Sequence, residues 1–139
     1  MEIRHLANAG VLISGSTKVI IDAPVIGADP FPGTDPTERD ALINGQHPFD
    51  GIDFFLYTHD HQDHFDPDLC GRLLSDRKTA GALMSPSAKR KLIRAEASLE
   101  NRIRVPEIDR WEKETYEIGF AQVTAFSLVH DGGKPFEEV

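Results

Sequence analysis

The chain has 139 residues with 23 acidic and 15 basic side chains, and its formal net charge of -8 argues against nonspecific binding to nucleic-acid backbones. A length of this order suits one domain, residues 1–139, with its own hydrophobic core. The single cysteine excludes an internal disulfide, and the sequence contains neither a membrane-spanning apolar run nor a signal peptide, so we expect a cytoplasmic protein.

Three short strands are predicted at the beginning of the chain. The segments EIRHLA and GVLISGS indicate two strands on either side of Asn8-Ala9-Gly10. Gly15 and Ser16 form a turn, after which KVIIDAP is typical of a buried strand that ends at Asp22.

A long loop is predicted between Val25 and Asp50, where proline, glycine and aspartate are frequent. One or two helical turns are expected in TERDALING, with Thr37 as the cap. Loops of this length in a small domain are often functional, which makes the segment a candidate lid or specificity wall. Phe31 and Phe49 are candidates for apolar contacts with a substrate, or for packing the loop against the domain.

The middle of the chain alternates strands with helices. The continuous apolar run Ile52–Thr58 predicts a strand covered on both faces. Asp66 and Pro67 then suit the cap and first position of a helix that reaches about Ser75 and carries Cys70 as a buried thiol. The later predicted elements are the strand TAGALMS, a helix capped by Ser85 with AKRKLIR on its solvated face, the strand RIRV, and a hairpin that turns at Gly119. This mixed order predicts an α/β layered domain.

Three of the six histidines lie in the segment HDHQDH, directly after the apolar strand. Ligands of α/β proteins bind at the carboxyl edge of the sheet, and imidazole suits zinc and related divalent ions, so the segment predicts a metal site. We expect His59 and His61 to hold one ion, and Asp63 and His64 to hold a second ion or a water. A catalytic zinc commonly has three protein ligands and one open position, and His130, at the end of the strand VTAFSLV, is the predicted third ligand.

Such a site indicates hydrolytic chemistry. A bound metal ion lowers the pKa of its water to about 7, which makes a metal-bound hydroxide available near neutral pH. Asp63 would hold this water or accept its proton, and it is therefore the candidate catalytic residue, unless it serves only as a ligand. His5 and His47 lie outside the segment and are interpreted as ordinary structural or surface residues.

The segment THDHQDHFD resembles the His-x-His-x-Asp-His signature of the metallo-β-lactamase superfamily. LANAGVLISGSTKVIIDAP is similar to the opening hairpin of that family, and YEIGFAQVTAFSLVHDGG is similar to the strand pair before its third metal histidine. The resemblance implies a metallo-β-lactamase-like αββα sandwich with zinc, as one or two ions, although manganese, iron or nickel can use the same ligand types. It implies that the first ion is bound by His59, His61 and His130, and the second by Asp63 and His64.

The resemblance also implies a role for Asp22, which ends the opening hairpin. The family uses an aspartate at this place to orient a ligand histidine by accepting a hydrogen bond from its free ring N–H. The NAG turn and the HDGGKPF ending are more similar to lactonase-like and uncharacterised hydrolase members than to true β-lactamases.

The chain departs from the family in length. Members usually continue well beyond the third metal histidine, whereas this chain ends shortly after His130, and nothing matches the metal-bridging aspartate or the final histidine. We therefore expect only the N-terminal part of the sandwich. Because half a sandwich leaves open strand edges and an uncovered apolar face, we also expect a homo-oligomer.

Three functions are compatible with these features. The first is a metal-dependent hydrolase that acts on an ester, lactone, amide or phosphoester of a small-molecule substrate. The second is a truncated paralogue that binds metal, has weak activity and fulfils a structural or regulatory role. The third is an RNA-processing nuclease, against which the acidic composition and the absence of a long basic run argue.

Overall fold

A central six-stranded sheet organises the protein in a computed structural model that describes residues 1–77, 80–109 and 111–127. In chain order the elements are β1 (Glu2–Ala7), β2 (Gly10–Ser14), β3 (Lys18–Ile21), β4 (Gly27–Ala28), β5 (Phe31–Pro32), α1 (Pro36–Ile43), β6 (Phe54–Tyr57), α2 (Pro67–Asp76), β7 (Gly81–Met84), α3 (Pro86–Ala95), a 3-10 helix (Ala97–Arg102), β8 (Ile103–Arg104), β9 (Lys113–Ile118) and β10 (Ala121–Phe126). The α/β class and the order of the main elements agree with the sequence-based prediction.

The sheet is mixed, with strand order β1-β2-β3-β6-β7-β8. The first three strands are antiparallel, and β3, β6, β7 and β8 run parallel to one another. Parallel neighbours need crossover connections, which α2 and α3 supply on either side of β7. The carboxyl ends of β3, β6 and β7 therefore meet at one edge of the sheet.

The two faces of the sheet bury different sets of side chains. Ile20, Phe55 and Ala82 belong to the large core beneath the helices, and all three are fully buried. Val19, Phe54 and Leu83 point to the opposite face and form a smaller cluster with Ile118 of the β9–β10 hairpin. The apolar run in β6 is thus covered on both faces, as predicted, because neighbouring residues of a strand point to opposite sides.

In the part of the chain that the structure describes, each of the three α-helices begins with a capping residue followed directly by proline. Asp66 and Ser85 cap α2 and α3 as predicted: Asp66 accepts from the Leu69 N–H at 2.9 Å, and Ser85 from the Ala88 N–H. The expected cap of α1, Thr37, is wrong. Asp35 accepts from the N–H groups of Thr37 and Glu38, because Pro36 occupies the first helical position and the cap must precede it.

The long loop has more structure than expected. In addition to α1, it contains the two-stranded ribbon of β4 and β5, whose base is closed where the buried Thr34 hydroxyl accepts from the Val25 N–H at 3.1 Å. Phe49 is 1% exposed and packs into the helix-side core, so it does not line an open wall. Phe31 is 47% exposed and remains a candidate for substrate contact.

Two further predictions concern the burial of Cys70 and the presence of membrane-spanning helices. Cys70 lies on α2, buried as expected, and burial raises the pKa of its thiol to about 12. Among the described residues, every helix is too short or too polar to cross a bilayer.

Candidate metal-binding site

The histidine segment begins at the carboxyl edge of the sheet. The Asp22 N–H donates to the Leu56 carbonyl at 2.9 Å, which extends the pairing of β3 with β6 to the start of the segment. Asp22 adopts a left-handed backbone conformation, with φ of 47°, which an aspartate tolerates better than most residues. The strand pair therefore fixes the positions of Asp22 and Thr58 before the chain enters the loop.

A tight turn folds the second half of the segment back on the first. The His61 carbonyl accepts from the N–H groups of His64 and Phe65, at 3.0 and 2.8 Å. The Phe65 ring is buried and meets the Tyr57 ring edge-on, with a centroid distance of 5.0 Å. This aromatic contact anchors the end of the turn in the core.

The turn brings His59, Asp63 and His64 together. Each of these residues has a ligand atom within 4.8 Å of those of the other two, a spacing that fits a single metal ion. The rings of His59 and His64 lie 3.8 Å apart between centroids, and His64 Nε2 is 3.4 Å from Asp63 Oδ2. Two ligands of a tetrahedral metal ion are about 3.4 Å apart, so the separation of this pair is compatible with binding to one ion.

The Asp22 carboxylate forms hydrogen bonds with His64 and Thr58. It accepts from His64 Nδ1 at 2.9 Å, from the Thr58 N–H at 2.7 Å and from the Thr58 hydroxyl at 2.6 Å. The side chain of Asp22 is only 2% exposed, so water competes little for these hydrogen bonds. Because an ionised carboxylate can only accept, Nδ1 of His64 carries a proton, and in the neutral ring Nε2 is the nitrogen whose lone pair a metal needs.

Thr58 links the two histidines of the cluster. Its hydroxyl donates to Asp22 and lies 3.1 Å from His59 Nδ1, from which it accepts when that nitrogen is protonated. This tautomer makes Nε2 the ligand nitrogen of His59. Thr58 was not among the predicted site residues, although its place directly before the first histidine of the motif is a usable signal.

Among the described residues, the predicted ligand His61 is not part of this group. His61 is exposed, and its ring stands edge-on to the His59 ring at a centroid distance of 4.7 Å. Its backbone forms the start of the tight turn, since its carbonyl accepts from the N–H groups of His64 and Phe65. His130 lies outside the described residues. The expected division of the ligands between two ions therefore stays a prediction.

The histidine segment also contacts α3 through Lys91. Lys91 Nζ donates to the Asp60 carbonyl at 2.9 Å and forms an ion pair with the Asp60 carboxylate. Burial alone would raise the pKa of Asp60, but the hydrogen bond and the charge of Lys91 outweigh it, and the pKa is lowered. Lys91 thus stabilises the residue between the first two histidines of the segment.

A cavity of about 480 Å³ lies between the sheet and the β9–β10 hairpin. Its walls are mainly apolar and include Leu56, Leu83 and Val123, whereas Thr58 and Ser85 border it at the carboxyl ends of β6 and β7. A volume of this order accommodates a small organic molecule. Because Thr58 also contacts His59 and His64, the cavity adjoins the cluster.

The remaining histidines have local roles, as predicted. His5 Nε2 lies 2.8 Å from the Asn8 carbonyl, and the His47 side chain is 91% exposed near Asp50. Neither contributes to the cluster of His59, Asp63 and His64.

Comparisons with known proteins do not assign the chain to a family. No protein-family model matches it, and no curated protein matches it either.

Proposed function

We propose that the chain is a metal-dependent hydrolase of the metallo-β-lactamase superfamily that acts on an ester, lactone, amide or phosphoester of a small molecule. The observation that carries the proposal is the convergence of His59, Asp63 and His64 beyond the carboxyl ends of two parallel strands. The hydrogen bonds of Asp22 to His64 and Thr58 support it, because metal-binding histidines commonly have their second nitrogen held in this way.

The donor set of one carboxylate and two imidazoles fits zinc, and it also suits manganese, iron or nickel. His59, Asp63 and His64 would hold the ion, with His61 and His130 as the further ligands that the resemblance to the superfamily implies. When bound, such an ion makes water more acidic and polarises the oxygen of the bond to be cleaved.

The protein's own side chains have distinct tasks in this proposal. Asp22 and Thr58 fix the tautomer and orientation of the two cluster histidines. Asp63 is the carboxylate that can orient a water molecule and take up its proton, since it lies beside His64 and is 15% exposed. The apolar cavity next to Thr58 would hold the non-reacting part of the substrate.

A direct test compares metal content and turnover in matched histidine variants. Elemental analysis after dialysis should find a divalent metal in the wild-type chain, and much less in His59→Ala and His64→Ala. His47→Ala is the control, because this side chain is exposed and lies outside the cluster. Hydrolysis of a panel of chromogenic esters, lactones and phosphodiesters should follow the metal content.

Two results would separate the alternatives. Metal uptake without turnover of any ester, lactone or phosphodiester would favour a metal-binding protein of weak activity over a hydrolase. Turnover that persists in His64→Ala without bound metal would exclude the proposed mechanism. Association of two or more copies of the chain also stays a proposal, and sedimentation velocity at micromolar concentration tests it.

A further inference from the structure

One side chain of the β1–β2 hairpin contacts the cluster of His59, Asp63 and His64. Asn8, in the turn between these strands, donates from Nδ2 to Asp63 Oδ2 at 2.9 Å and to the Asp63 carbonyl at 3.2 Å. The two residues are 55 positions apart in sequence. One amide group therefore contacts both the carboxylate and the backbone of the same candidate ligand.

The turn holds Asn8 in a fixed position. Its φ of 44° lies in the left-handed region, which asparagine and glycine adopt more readily than other residues. The Asn8 carbonyl contacts His5 Nε2 at 2.8 Å, and the neighbouring Gly10 packs so closely that an added Cβ would lie 2.9 Å from the Ala7 carbonyl. The side chain of Asn8 is thus presented to Asp63 by a tight turn that has little room for rearrangement.

We infer that Asn8 is a positioning residue that orients the Asp63 carboxylate for metal binding. Contact at two points restricts rotation of the Asp63 side chain, and a neutral amide does so without introducing a charge that would compete with a cation. The same carboxylate oxygen lies 3.4 Å from His64 Nε2, so the hydrogen bond from Asn8 helps to set the distance between two candidate ligands. This inference rests on the proposed metal site.

Asn8→Gly is the most informative change. Glycine adopts the left-handed backbone conformation without strain, so the turn is retained while the amide donor is lost. Asn44→Gly is the matched control, because Asn44 is an exposed residue at the C-terminal end of α1, outside the cluster. Both variants are compared with the wild-type chain by titration with Co²⁺, whose d–d absorption reports the number and type of ligands.

We expect Asn8→Gly to bind Co²⁺ about 10- to 100-fold more weakly than the wild type, which is the usual effect of removing a hydrogen-bonding partner of a metal ligand. Its absorption spectrum should also change, whereas Asn44→Gly should match the wild type in both respects. In an Asp63→Ala background the effect of Asn8→Gly should shrink, since the carboxylate that Asn8 orients is absent. A purely structural role would lower the melting temperature of the metal-free chain and leave the Co²⁺ spectrum unchanged.

Failure of the two proposals would give different results. If His59→Ala and His64→Ala weaken Co²⁺ binding but Asn8→Gly binds with wild-type affinity and spectrum, the role of Asn8 is wrong and the metal site stands. An equal effect of Asn8→Gly in the presence and absence of the Asp63 carboxylate would also overturn this role. If the wild-type chain takes up no Co²⁺, both the metal site and the inference about Asn8 are wrong.

Discussion

The two faces of the central sheet differ in how completely they are filled. On the helix side, Ile20, Phe55 and Leu73 are fully buried in one large core. On the hairpin side, the buried set among the described residues is smaller, and a cavity of about 480 Å³ separates part of the sheet from β10. We therefore expect the helix side to supply most of the stability, while the hairpin side leaves space beside the candidate metal site.

Truncating one leucine on each face tests this difference most strongly. Leu73→Ala would leave a closed void in the helix-side core and should lower the free energy of unfolding by about 4 kcal/mol. Leu83→Ala enlarges a cavity that already exists, so we expect a loss of about 2 kcal/mol. Urea denaturation measures both values, and equal losses for the two variants would contradict the proposed division of roles.

The role of Asp22, at the carboxyl edge of the sheet, is tested by the change Asp22→Asn. This change keeps the shape of the side chain and removes one acceptor oxygen. We expect metal affinity to fall about 10- to 100-fold, because His64 loses the partner that fixes its tautomer. Asp53→Asn is the control: Asp53 accepts from the Lys18 N–H at 2.7 Å at the amino ends of β3 and β6. Competition with a zinc chelator measures both affinities, and a similar loss in the two variants would argue against a specific role for Asp22.

The tight packing on the helix side predicts that Cys70 is chemically inert. Burial raises its pKa to about 12, so the thiol is neutral at pH 8, and its side chain is 1% exposed. Ellman's reagent should therefore label the native chain far more slowly than the urea-unfolded chain. Rapid labelling under native conditions would show that this core opens more readily than its packing indicates.

The smallest effect is expected for Lys91→Met, which removes the ion pair between α3 and the histidine segment. The loss should be about 0.5 to 1 kcal/mol at pH 7 in the metal-free chain, as is usual for a partly exposed pair. Because the pKa of Asp60 is lowered in the folded state, this stabilisation is present above the ordinary value of 3.8 and is lost as the pH falls through the folded pKa. A difference between Lys91→Met and wild type that is unchanged in strong acid would contradict this assignment.

Local sequence signals predicted most of the regular structure correctly. The pairs Asp66-Pro67 and Ser85-Pro86 mark the beginnings of α2 and α3 because capping depends on adjacent residues. The same rule applied to Asp35-Pro36 would have given the correct cap of α1. The ribbon of β4 and β5 was missed because its two-residue strands lie in a segment rich in proline and glycine, a composition that predicts irregular structure.

The candidate site was only partly predictable because it combines local and distant contacts. The histidine motif identifies the segment, but its spacing does not show that the turn groups Asp63 and His64 with His59 and leaves His61 exposed. The contact of Asn8 with Asp63 depends on folding of the first hairpin against a loop 55 residues away, so no local pattern signals it.

Binding of one divalent ion between His59, Asp63 and His64 is the proposal on which the others depend. Its most direct test is anomalous diffraction from crystals of the protein grown with Zn²⁺, recorded on both sides of the zinc absorption edge. We predict an anomalous peak about 2.0 to 2.2 Å from His59 and His64 nitrogens and an Asp63 oxygen. A peak bound to other residues, or no peak at this edge of the sheet, would contradict the proposed metal site.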